Sequence, residues 1–156
     1  MSFEKAKSYL DECGFGERVM QFTTSSATVE LAAAALGTEP AKIAKSLTFM
    51  VADAPIMIIC AGDYKVNNSK FKKMFAEKAK MLTREQVSEL IGHEVGGVCP
   101  FGINRGVKVY TDISLQRFDY IFPACGSGNS AVKLTPDELY YLANAIEWAD
   151  VCVPME

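Results

Sequence analysis

The chain has one histidine, His93, and no C-x-x-C pair, which argues against a structural zinc site. Its five cysteines (Cys13, Cys60, Cys99, Cys125 and Cys152) are odd in number and widely spaced. That excludes an ordinary disulfide framework and points to a reducing cytoplasm. The longest apolar run, Ile56-Met57-Ile58-Ile59-Cys60-Ala61, is far too short to cross a bilayer and reads as a buried strand. The first residues, Ser2 to Leu10, form a charged amphipathic pattern rather than a secretory signal. Repeats, linkers and low-complexity segments are absent. Asp112 and Asp119 stand without a paired carboxylate, the arrangement general acid–base chemistry often uses. Conventional catalytic machinery is scarce here, and no metal or cofactor is implied.

What is present is a core-forming composition. With 156 residues and 49% apolar content, the chain reads as one domain spanning 1–156, able to bury roughly 70% of its unfolded surface. Between Lys65 and Arg84 seven basic residues face only Glu77, a local charge of +6 in a chain of net −3, which leaves −9 for the remainder. Lys70, Lys72 and Lys73 form the centre of this segment. A basic patch can meet phosphate even on an acidic protein. On charge alone a solvated helix face is the simpler account, because surface lysines are common.

Local signals predict a mixed order of elements. Helices are expected over Ser2–Glu12, over Val29–Leu36 between Thr28 and Gly37, and over Ser69–Lys78. Thr83-Arg84-Glu85-Gln86 and Thr135-Pro136-Asp137-Glu138 both fit capping boxes. Leu139, Leu142, Ala143 and Ile146 make the inward stripe of the last helix. Strands are expected at Lys45–Ala52 and Ile56–Ala61 around a turn at Asp53-Ala54-Pro55. Val107, Val109 and Thr111 alternate with polar residues as in a half-buried strand, and Tyr120–Cys125 and Ala131–Leu134 read as two more strands. Strands outnumber long helices, which favours an α+β (mixed α/β) domain over a doubly wound parallel sheet.

Three places carry chemistry. In a strand through Lys45, this lysine shares a face with Leu47, Phe49 and Val51, at the mouth of an apolar surface where a charge needs a partner. If the strand begins at Ser46, Lys45 is an exposed flank; both readings are open. The second place is Gly96-Gly97-Val98-Cys99-Pro100-Phe101-Gly102, a loop whose glycines let a ligand approach the main chain. Cys99 at its centre reads as a small buried hydrophobe rather than a nucleophile, and His93 as a polar loop residue rather than a general base. The third is Gly126-Ser127-Gly128-Asn129-Ser130, either a hairpin turn or a set of hydrogen-bonding groups for a polar ligand.

These pieces, in this order, resemble the YbaK family of aminoacyl-tRNA editing domains, also found inserted in or associated with bacterial prolyl-tRNA synthetases. The carrying residues are Ala32–Gly37, Ile43-Ala44-Lys45-Ser46-Leu47, the Gly96–Gly102 loop, and Gly126–Asn129 running into Leu134–Leu139. The resemblance implies a barrel-like mixed sheet surrounded by helices. It also implies hydrolysis of the ester between a mischarged small amino acid (cysteine, alanine or serine) and tRNA. Lys45 matches the family's lysine, and Gly96 and Pro100 match the ends of its G-x-x-x-P loop. The implied partners are the aminoacyl-tRNA acceptor end, whose phosphates Lys70, Lys72 and Lys73 would meet, and a synthetase; no DNA or membrane is implied. A non-catalytic module that senses aminoacyl-tRNA, a nucleotide or a free amino acid is the alternative from another class.

Overall fold

Side-chain caps fix most of the helix starts in the computed structural model, which describes residues 2–155. Helix α1 (Ser2–Glu12) turns Ala6 and Leu10 inward. Helix α2 (Val29–Leu36) starts where Thr28 Oγ1 accepts the Leu31 N–H at 3.2 Å, and stops at Gly37. Helix α3 (Asn68–Phe75) starts at Asn67, whose Oδ1 accepts the Lys70 N–H at 3.0 Å. It ends three residues before the expected Lys78, because Ala76 turns left-handed at φ 64°. Helix α4 (Arg84–Gln86) opens on the Thr83–Gln86 capping box and runs into a π-helical turn, Val87–Ile91. Helix α5 (Pro136–Leu142) opens on the Thr135–Glu138 box, and Leu139, Leu142 and Ala143 are buried. Ile146, expected on that stripe, lies beyond the helix and is 47% exposed.

The strands are β1 (Val19–Gln21), β2 (Ile43–Val51), β3 (Ala54–Ala61), β4 (Tyr64–Val66), β5 (Lys108–Asp112), β6 (Phe122–Pro123), β7 (Ser130–Val132), β8 (Trp148–Ala149) and β9 (Cys152–Pro154). The main sheet runs β6-β2-β3-β5-β8. Its β2–β3 pair is antiparallel and the other pairings are parallel. Two ribbons, β1–β7 and β4–β9, complete the sheet structure. Bridges at Ile121–Leu134 and Ala124–Ala131 stitch the first ribbon to β6, so the mixed sheet continues around one side of the domain.

The β2–β3 turn is Ala52-Asp53, both at positive φ (50° and 63°), so Ala54 and Pro55 belong to β3. Two successive left-handed residues match the twist of a hairpin, and the Ala52 N–H is held by the Glu77 carboxylate at 3.2 Å. Strand β3 is buried on both faces. Met57 and Ile59 join one core with α1 and α5, while Ile56, Ile58 and Cys60 join a second under α3. Strand β5 also departs from the expected half-burial: Val109, Tyr110, Thr111 and Asp112 are all buried. It lies between two parallel neighbours, where both faces are covered. In the second core the Phe71 ring sits 5.1 Å from Phe49 and 4.7 Å from Phe75; truncating such a residue to alanine typically costs about 3–5 kcal/mol. Helix α2 sets Ala32 and Ala33 against Ile43, the close contact that its alanine run allows. Among the described residues no helix is long and apolar enough to cross a membrane.

Candidate active site

Strand β2 has an interrupted edge. Strand β6 pairs with it only at Ile43 and Ala44. Further along, the segment 80–82 joins the same edge, with Leu82 N–H donating to Thr48 O at 3.1 Å and Met50 N–H to Lys80 O at 2.9 Å. Among the described residues no strand pairs with that edge at Lys45–Leu47. Thr48 and Met50 direct backbone groups to this side, and the period-two pleat makes Ser46 do the same. The Ser46 N–H and C=O therefore face a gap in the sheet.

A cavity of about 400 Å³ occupies that gap, and six successive residues, Ile43 to Thr48, line it. A face of a sheet shows alternate residues; only an edge shows a run. Helix α2 closes one side with Thr28, Val29 and Ala32, and the β6–β7 region closes another with Phe122, Ala124, Ser130 and Ala131. Arg84, Val87, Val95, Gly96 and Val98 complete the wall. Met81 and Val95 are 60% and 49% exposed and flank the opening. Ser26 and Ser46 also line it, and their hydroxyls are buried without a hydrogen-bond partner among the described residues.

Lys45 lies inside β2, not at its flank, and lines the cavity. Its neighbours on the same face, Leu47, Phe49 and Val51, belong to the second core. Its Nζ donates to Gly62 O at 3.5 Å and lies 3.6 Å from Met155 Sδ. The ammonium thus rests on the β3–β4 turn and makes no hydrogen bond to the Gly96 loop.

The Gly96–Gly102 loop divides between cavity and core. Gly96 and Val98 line the cavity; Gly97, Cys99, Pro100, Phe101 and Gly102 do not. Cys99 and Phe101 are fully buried in the first core instead. The division follows from Gly97, whose Cα lies against the backbone of Gly126 and Ser127 so closely that any Cβ would overlap it. Docked there, the loop turns residues 96 and 98 outward and 99 and 101 inward. The amides of Gly96 and Val98 form no hydrogen bond among the described residues, whereas that of Gly97 donates to Glu94 O at 3.0 Å.

The second glycine loop braces the site rather than facing it. Gly126, Ser127, Gly128 and Asn129 do not line the cavity; the adjoining Ala124, Ser130 and Ala131 do. Its polar groups are engaged internally. Ser127 Oγ meets Asn129 Oδ1 at 2.9 Å and Ser130 Oγ at 2.6 Å, and Asn129 Nδ2 donates to Phe22 O at 3.1 Å.

His93 lies in a loop, as expected, but is buried rather than solvated. It is 1% exposed, with Nε2 2.7 Å from Phe101 O and Nδ1 against Ser2 Oγ. A carbonyl only accepts, so Nε2 carries the proton and donates. Cys99 Sγ lies 3.5 Å from that protonated nitrogen, which therefore has no lone pair to act as its base. Burial also pushes the Cys99 thiol well above its ordinary range and lowers the His93 pKa. A thiolate–imidazolium nucleophile is not available here. Of the basic cluster, Lys70 is committed to Asp150 at 2.7 Å and Cys152 O at 3.4 Å. Lys72 and Lys73 are exposed in the last turn of α3.

Comparison with known proteins identifies the family. Residues 23–142 match the profile of the aminoacyl-tRNA editing domain. The chain belongs to the aminoacyl-tRNA editing domain family. The uncharacterized protein YwhH of Bacillus subtilis (strain 168) is 46% identical over 157 residues, covering 100% of both chains. The proline–tRNA ligase of Bacillus pumilus is 33% identical over 103 residues, which is 65% of this chain but 18% of the ligase. A solved structure of a candidate trans-editing enzyme for prolyl-tRNA synthetase superposes with a TM-score of 0.87 at 30% identity, covering 96% of each chain.

Within this editing domain, the sequence pointed to Lys45, Gly96 and Val98 as site residues. Arg84, Ser26 and the backbone of Ser46 were not singled out. Arg84 was visible only as part of a basic run. Ser26 lies on an irregular segment before α2, and an unpaired strand edge leaves no local signal.

Proposed function

We propose that this protein is an aminoacyl-tRNA deacylase that acts in trans on tRNA mischarged with a small amino acid of the cysteine, alanine or serine class. The carrying observation is the cavity in the β2 edge, where Lys45, Gly96 and Val98 meet around about 400 Å³. That volume lies in the ordinary range for small-molecule sites. It suits an aminoacyl ester with part of its terminal nucleoside better than a long polymer segment. Family membership supports the reaction class, and the likeness to a candidate trans-editing enzyme supports action apart from a synthetase.

An aminoacyl ester is already activated, so the protein's contribution is to orient it and stabilise developing charge. In this reading the Lys45 ammonium and the unengaged amides of Gly96 and Val98 are the donors to the ester and its oxyanion. The Ser46 backbone aligns the substrate along the strand edge. The net reaction breaks the acyl–oxygen bond and consumes one water, leaving free amino acid and a tRNA with its terminal hydroxyl restored. A small side chain fits the biology of editing, because a synthetase rejects larger amino acids sterically but discriminates smaller ones poorly.

The test is deacylation of tRNAs charged with alanine, serine or cysteine. Losing one such donor typically costs about 10²–10³ in rate, so Lys45→Ala is expected to fall by about that factor. Full activity in Lys45→Ala would defeat its assigned role, and binding without turnover would favour a sensing module.

A further inference from the structure

We propose that Arg117 is a positioning residue: by holding the Asp63 carboxylate it keeps that group from capturing the Lys45 ammonium in an ion pair. The inference rests on the reading of Lys45 given above. Arg117 ends the 3₁₀ turn Ile113–Arg117 that follows β5. Its guanidinium grips Asp63 in bidentate fashion, at 2.7 and 3.1 Å. Its Nε donates to Ser114 O at 2.8 Å, and the group lies 4.6 Å from the Tyr64 ring centroid and 4.7 Å from that of Phe118. This planar fork, fixed at both edges and stacked on aromatic rings, is a geometry that lysine does not reproduce.

Asp63 occupies the β3–β4 turn directly after Gly62, whose carbonyl accepts from Lys45 Nζ at 3.5 Å. The turn has little freedom. A Cβ at Gly62 would overlap Pro40 O, and Asp63 O is bonded by the Met155 N–H at 2.8 Å. A carboxylate is thus anchored one residue from the acceptor on which Lys45 rests. The Asp63 carboxyl sits below its ordinary range, first because of the Arg117 hydrogen bonds, against some desolvation, with the Lys45 charge adding to the effect. The charged groups around this turn are Lys45, Asp63, Arg117 and, at longer range, Glu39. With Arg117 in place, both Asp63 oxygens are engaged by a guanidinium. Without it, Asp63 becomes the natural ion-pair partner for Lys45 and locks the ammonium on the turn, away from a bound ester.

Arg117→Gln removes the charge while keeping a planar polar head against Tyr64 and Phe118; Asp63→Asn removes the competing carboxylate. Kinetics are measured with whichever alanyl-, seryl- or cysteinyl-tRNA the wild type cleaves fastest. Misplacing a catalytic group by about an ångström costs up to roughly a hundredfold, so Arg117→Gln is expected to lose at least about tenfold in kcat with KM nearly unchanged. Asp63→Asn is expected to remain near wild type, and the double variant Arg117→Gln/Asp63→Asn to recover most of the loss. The second readout needs no substrate: the ¹³C signal of reductively dimethylated Lys45, assigned by its loss in Lys45→Arg. Its chemical shift is expected to move in Arg117→Gln and to return in the double variant.

A double variant as slow as Arg117→Gln would overturn the proposal, showing that Arg117 merely supports the turn. So would a Lys45 signal unmoved by Arg117→Gln. If no tRNA in the panel is cleaved, the deacylase reading fails, while the Lys45 signal still decides whether Arg117 restrains Asp63.

Discussion

Gly97→Ala is the sharpest test of how the glycine loops build the cavity wall. The added Cβ would lie 2.6 Å from Gly126 C and Ser127 Cα, and closer still to Ser127 N, where ordinary contact begins at 3.4 Å. The backbone at Gly97 suits alanine, so the obstruction is space alone. Every obstructing atom is main chain, so no rotamer change relieves it. The two loops must part by roughly an ångström, and overpacking of this kind costs about 1–3 kcal/mol. In a domain of this size each kcal/mol lowers Tm by about 2–4 °C, which gives an expected fall of roughly 2–12 °C. Gly96 and Val98 move with the wall, so deacylation is expected to drop by up to about a hundredfold. Gly128→Ala is the matched control, because its Cβ meets only Ala27 Cβ at 3.5 Å. It is expected to change neither quantity appreciably. Thermal melts followed by circular dichroism, with deacylation on the same samples, separate the two variants. Equal Tm values for Gly97→Ala and wild type would refute the docking of one loop on the other.

Cys99→Ala is expected to keep activity within a few-fold, and iodoacetamide at pH 8 should label exposed Cys13 but leave buried Cys99 unmodified in a peptide map. His93 predicts an acid limb in stability: its folded pKa lies below the ordinary value, because burial and the Lys5 charge outweigh its bond to Phe101. The unfolded chain takes up this proton near pH 6.5; the His93 contribution is complete above that value and is lost as pH falls through it toward the folded pKa. Denaturant midpoints at pH 7.5 and 5.5 should therefore differ more in wild type than in His93→Gln, and equal differences would contradict this. If exposed Lys72, Lys73 and Arg84 meet tRNA phosphates, alanine at each should lower the salt slope of binding by about 1. Lys70→Ala should leave the slope nearly unchanged, because its ammonium is engaged by Asp150.

What the sequence disclosed was mainly local chemistry. Thr28, Thr83 and Thr135 each bond to an amide three residues ahead, so their helix starts are written within a single turn of chain. The apolar run of β3 was equally legible, since burial on both faces leaves no alternation. Strands β6 and β8 have two residues each and β9 has three; their pairing with distant partners defines them, and nothing local announces it. The hairpin turn was misplaced because Pro55 is a turn residue by habit, whereas Ala52 and Asp53 accept positive φ without glycine. In the Gly96 loop, residue types marked a shaped segment but not which residues face inward. That division depends on contact between Gly97 and Gly126, 29 positions apart.

The gap in the β2 edge has a consequence for how this site changes over time. The groups that Ser46 presents there belong to the main chain: no substitution at position 46 removes the carbonyl, and only proline removes the N–H. Side chains at Ala44, Ser46 and Thr48 can vary in size and polarity around a fixed polar frame. A cavity of this kind can exchange one small ligand for another by single substitutions while its anchoring stays intact.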